Sequence, residues 1–69
     1  MSCAMKLQLA SEYEAATVVF SKAAAEVQRN IGTSSKETYE DLGRIETDAR
    51  LRSELARLAL EKHTAEHRC

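Results

Sequence analysis

The sequence predicts an all-α fold. It reads as an antiparallel two-helix hairpin, with helices over about residues 4–31 and 35–67, in a single domain spanning 1–69. Three observations predict it. Two long stretches carry apolar residues at helical spacing, a short stretch between them holds a stop signal and a start signal, and proline is absent.

The first stretch runs from about Ala4 to Ile31. Met5, Leu9, Tyr13, Ala16, Phe20, Ala23, Val27 and Ile31 follow one another at steps of three or four residues. At about 100° per residue they fall in one stripe roughly 80° wide. From Leu9 to Val27 the steps alternate four and three, the pattern of a coiled-coil seam.

The break is Ile31-Gly32-Thr33-Ser34-Ser35. Gly32 suits the left-handed position that ends a helix, where a side chain would cost energy. Ser34 then offers an N-cap, with Glu37 placed to complete a capping box. Signals this close leave room only for a short loop, and a short loop makes its two helices antiparallel neighbours.

The second stretch runs from about Ser35 to His67. Acids gather near its start at Glu37, Glu40 and Asp41, and Arg57, Lys62 and Arg68 lie toward its end, an arrangement that complements the helix dipole. Opposite charges four residues apart recur at Glu40–Arg44, Glu46–Arg50, Asp48–Arg52, Arg57–Glu61 and Lys62–Glu66. Each such pair adds about 0.2–0.5 kcal/mol to a solvated helix. Gly43 is the weak point, worth about 1 kcal/mol less than alanine. It is read as a tolerated glycine, or as a place where another helix approaches closely.

This helix has more apolar surface than one neighbour can cover. Leu42, Ile45, Ala49, Ala56, Ala59 and Leu60 form a stripe that can face the first helix, with Arg52 at a seam position among them. A reversal near Thr33 sets Phe20 against Ile45 and Ala49, Val27 against Tyr39 and Leu42, and Arg52 near Tyr13, its head reaching toward solvent over the ring. Leu51, Leu55 and Leu58 lie about 140° from that stripe. On the first helix Leu7 and Val18 lie opposite the main stripe, and Val19 to its side. Full burial of each such side chain is worth about 1.5–3 kcal/mol. The expectation is an interaction module, a scaffold, adaptor or regulator, that self-associates into a dimeric four-helix bundle, an antiparallel coiled-coil assembly, through Leu51, Leu55, Leu58, Leu7 and Val18, with another protein as the alternative partner for that surface.

Composition agrees with a chain that leans on a partner. Apolar residues make up 43% of the 69, but aromatic residues only 4%, and many of the apolar ones are alanine. Chains this small rarely stabilise a core without a disulfide, a metal or an oligomer. The net charge of −1 gives no basic surface for nucleic acid or an anionic membrane. No apolar run approaches a membrane span, and Met1 to Leu9 lacks the apolar core of a secretory signal, so a cytoplasmic location is expected.

Four metal-ligating side chains are predicted to gather at the open end of the hairpin. His63 and His67 are four apart on one helix face, Cys69 follows, and the hairpin sets Cys3 beside His63. A small metal-binding or redox module using Cys3, His63, His67 and Cys69 is therefore the alternative to an interaction module. A disulfide between the two cysteines is a third arrangement of the same end. No nucleophile–base constellation and no phosphate loop is present, and the chain is read as non-enzymatic, without a cofactor.

Overall fold

A computed structural model describes residues 4–67 and contains two α-helices, α1 over Ala4–Arg29 and α2 over Lys36–His67. They pack against each other as a hairpin 53 Å long, and no strand occurs among the described residues.

The hairpin's turn is built by side chains that stand in for missing helical partners. The last carbonyls of a helix have no donor within it. At the end of α1, Asn30 Nδ2 donates to the Glu26 carbonyl at 2.8 Å and Thr33 Oγ1 to the Arg29 carbonyl at 3.4 Å. Asn30 N–H and Ile31 N–H tighten the chain with bonds to the Val27 and Gln28 carbonyls at 3.2 and 3.3 Å. Thr33 N–H then reaches the Asn30 carbonyl at 3.3 Å, closing a four-residue turn whose third residue, Gly32, has φ of +76°. That position requires a positive φ in a type II turn, which glycine adopts without strain.

Helix α2 is capped one residue later than the sequence suggests. Ser35 Oγ, not Ser34 Oγ, accepts from the Thr38 N–H at 3.2 Å, and the Ser35 carbonyl accepts the first helical bond from Tyr39 N–H at 3.0 Å. Ser34 Oγ is turned instead to Asn30 Oδ1. With Ser35 as N-cap the third helical residue is Thr38, so Glu37 is not placed to complete a capping box.

The middle of the α1 stripe faces α2 as expected. Leu9, Tyr13, Ala16, Phe20, Ala23 and Val27 are all partly covered. Its two ends are not, since Met5 and Ile31 stay exposed. Helix α2 presents a different seam from the expected one: Leu42, Glu46, Ala49, Ser53, Ala56, Leu60 and His63 are covered, while Ile45 and Ala59 are exposed. The helix is rotated by about 30° relative to the expected stripe. Rotation replaces a guanidinium at the seam with the small Ser53. Arg52 lies at the edge, its Nε 3.1 Å from Asp48 Oδ2, and no cation–π contact with Tyr13 is found among the described residues.

The register also moves. Thr17 Oγ1 lies 3.2 Å from Ser53 Oγ, where a reversal at Thr33 would set Thr17 against Ala49. The turns through Asn30 and Thr33 carry the chain beyond the end of α1 before it reverses at Ser34 and Ser35. A reversal two residues later displaces the facing position on α2 by one helical turn.

Candidate interaction surface

The seam between the helices buries very little. Among the described residues only Ala49 and Ser53 are buried, at 4% and 9% exposure. Alanine and serine let two helix axes come close but bring little apolar area with them. The large side chains lie elsewhere. Leu51, Leu55 and Leu58 are 47%, 66% and 50% exposed, and Leu7 and Val18 are 73% and 47% exposed.

These five residues form two separate groups. At about 100° per residue, Leu51, Leu55 and Leu58 centre on the side of α2 directly opposite the observed seam. Leu7 and Val18 lie on the far side of α1 by the same count. The two groups thus occupy opposite edges of the hairpin, and one planar contact with another helix covers one edge or the other.

The accessible surface of the hairpin is 5285 Å². A compact monomer of this mass exposes about 4,300 Å². The excess, roughly 1,000 Å², follows from the elongated shape of the two packed helices, whose principal extents are 53, 13 and 10 Å.

Two concave features mark the surface. One lies between the helices and is lined by Ala15, Ala16 and Val19 of α1 and by Ala49 and Arg52 of α2, enclosing about 230 Å³. Val19, set aside in the sequence as a lateral residue, forms its upper wall on α1. The other is a shallow recess on α2 alone, lined by Glu40, Gly43, Arg44, Thr47, Asp48 and Leu51. Its floor is open because a Cβ at Gly43 would meet nothing within 4 Å. Within the hairpin, then, no helix approaches Gly43.

The charged side chains around these features pair within α2. Of the expected pairs, Asp48–Arg52 and Arg57–Glu61 form, at 3.1 and 2.8 Å. Arg44 turns back to Asp41 instead of Glu40, Glu40 lies 3.9 Å from Lys36 Nζ, and Arg50 reaches Glu54 at 3.4 Å. Helical neighbours three and four residues apart compete for each guanidinium, so sequence spacing alone does not choose between them. Among the described residues Lys62 and Glu66 form no ion pair.

At the open end of the hairpin the two histidines do come together. The rings of His63 and His67 have centroids 4.4 Å apart, tilted by 31°. His63 Nε2 is buried and has no hydrogen-bond partner. Cys3 and Cys69, the other expected metal ligands, lie outside the described residues, as does any disulfide between them. Among the described residues no third His, Cys, Asp or Glu joins the histidines in a cluster able to hold a metal ion.

No described helix is long and apolar enough to cross a membrane. No family model, no curated protein and no solved structure matches the chain.

Proposed function

We propose that this chain is a small, non-enzymatic protein–protein interaction module that works as a homo-oligomer, most simply a dimer, in a scaffolding or regulatory role in the cytoplasm. The observation that carries this reading is the contrast between a seam that buries only Ala49 and Ser53 and an outer edge of α2 that leaves Leu51, Leu55 and Leu58 in water. Moving such side chains out of water favours association by about 25 cal/mol per Å² of apolar surface, before the costs of binding. Two hairpins that meet along the outer edge of α2 would bury these leucines between them in a four-helix assembly. Open, shallow concavities on two helices suit the docking of another helix better than the enclosure of a substrate.

Light scattering coupled to size exclusion tests the proposal. The full chain is expected to elute at twice 7.7 kDa. The double variant Leu51→Glu/Leu58→Glu is expected to elute as a helical monomer. A monomer mass for the parent chain at every concentration overturns the reading.

The second reading, a metal or redox module at Cys3, His63, His67 and Cys69, draws its support from the adjacent imidazole rings. One equivalent of zinc retained after dialysis, and helicity lost with a chelator, would favour it over an interaction module.

A further inference from the structure

The outer face of α2 carries charge as well as leucine. At about 100° per residue, Arg44, Leu51, Leu55, Leu58 and Lys62 fall within one arc roughly 60° wide, so the three leucines are bracketed by a cation at each end. Asp48 and Glu66 flank the same arc on one side. Lys62 and Glu66 have no ion-pair partner among the described residues, and the recess at Gly43 opens on this face between Glu40, Asp48 and Leu51.

From this pattern we infer that the face is covered by a second copy of the chain, laid antiparallel, α2 on α2, about a two-fold axis at Leu55. Lys62 of each copy then lies opposite Asp48 of the other, at the rim of the recess that also includes Gly43. The inference rests on the self-association proposed above and adds its partner helix, direction and register.

Charge decides the direction. A parallel pairing in register stacks Arg44 on Arg44 and Lys62 on Lys62, like charges beside a desolvated leucine layer, which opposes association. The antiparallel pairing about Leu55 sets Leu51 against Leu58 of the second copy, Asp48 against its Lys62, and Arg44 against its Glu66. Every cation at the seam then has an acid across the interface, Arg44 and Asp48 sharing that contact with their intrahelical partners Asp41 and Arg52, and the two-fold axis repeats each pair.

Shape agrees with charge at an independent point. The antiparallel register brings Lys62 of the second copy opposite Asp48, more than one turn beyond Gly43 and adjoining the stretch between Gly43 and Thr47. That stretch is the floor of the recess, where a Cβ at Gly43 would meet nothing within 4 Å. The aliphatic stem of a lysine fills such a space while its ammonium reaches the rim carboxylates of Glu40 and Asp48.

Disulfide trapping reads the direction. In a full chain with Cys3→Ser and Cys69→Ser, a single cysteine is placed by Leu51→Cys or by Leu58→Cys, and the two variants are oxidised alone and mixed. The mixture is expected to give the 51-to-58 linked dimer, with little linkage in either variant alone. Self-linkage of each variant without excess in the mixture shows a parallel pairing and overturns the inference. So does a parent chain of dimer mass that links in neither experiment, which would leave self-association standing with another interface. A parent chain that is monomeric throughout removes the underlying reading and the inference with it.

Charge reversal gives a second measurement that does not touch the leucines. Asp48→Lys alone, or Lys62→Asp alone, is expected to weaken self-association about tenfold. Asp48→Lys combined with Lys62→Asp is expected to return it to within about threefold of the parent. Losses that simply add in the double variant overturn the pairing.

Discussion

Thr17 Oγ1 and Ser53 Oγ meet at 3.2 Å across the helix seam, and Thr17 Oγ1 also donates to the Tyr13 carbonyl at 2.9 Å. The Thr17 proton is therefore committed to its own helix, and Ser53 is the donor between the two hydroxyls. This polar link between the helices lies beside the most buried described residue, Ala49.

The link is worth about 1 kcal/mol at most, since folding exchanges it for bonds to water. A double-mutant cycle with Thr17→Val and Ser53→Ala is expected to give a coupling energy of about 0.5–1 kcal/mol by urea unfolding. Ser53→Ala alone is expected to cost less than Thr17→Val. It removes a donor whose partner stays satisfied by its own helix, and alanine favours the helix. Strict additivity of the two changes would show that the hydroxyls do not interact.

Ser35 and Ser34 separate the observed cap from the expected one. Ser35→Ala removes the acceptor for Thr38 N–H and is expected to cost about 1 kcal/mol. Ser34→Ala removes only a side-chain bond to Asn30 and is expected to cost less. The reverse order, measured by thermal unfolding, would return the cap to Ser34.

The two glycines should respond in opposite directions to alanine. Gly32 has φ of +76°, so Gly32→Ala is expected to destabilise by about 1–2 kcal/mol. Gly43 sits mid-helix with open space around its Cβ position, so Gly43→Ala is expected to stabilise the hairpin by up to about 1 kcal/mol. A gain at Gly32 or a loss at Gly43 in chemical denaturation would contradict these backbone assignments.

His63 carries a buried nitrogen without a partner. Leaving a buried polar group unmade costs about 1–3 kcal/mol. His63→Leu, which fills the same space without that atom, is expected to raise stability by about 1 kcal/mol. His67→Ala, at an exposed position, is expected to change it little. A destabilised His63→Leu variant would mean that the ring makes a polar contact that the leucine loses.

The hairpin itself was legible in the sequence, and so was the middle of its α1 face. Leu9 to Val27 alternate four and three, Gly32 is the one residue suited to the turn, and no proline interrupts either helix. The α2 face was only half legible. Leu42, Ala49, Ala56 and Leu60 belong to the seam under either rotation, so counting apolar residues drew Ile45 and Ala59 in and left Ser53 out. The signal for Ser53 was its heptad position between Ala49 and Ala56, where a small hydroxyl packs as well as an alanine and a guanidinium does not.

The candidate surface followed a similar division. Leu51, Leu55 and Leu58 were identifiable as surplus because three leucines within eight residues exceed what one partner helix covers. That Leu7 and Val18 stand on the opposite edge depends on which way α1 faces α2. Whether Gly43 is approached by a neighbour likewise depends on where α2 turns.

By itself the sequence determined two helices, their antiparallel arrangement and an excess of apolar surface, because periodicity, capping and turn chemistry act within a few residues. Only the tertiary structure decided the rotation of α2 and the one-turn shift in register. Those depend on how the seam avoids burying Arg52 and on where the chain leaves α1, and each involves groups far apart in sequence. An alanine-rich seam leaves the rotation open to small energies, so one hydroxyl pair and one displaced guanidinium are enough to set it.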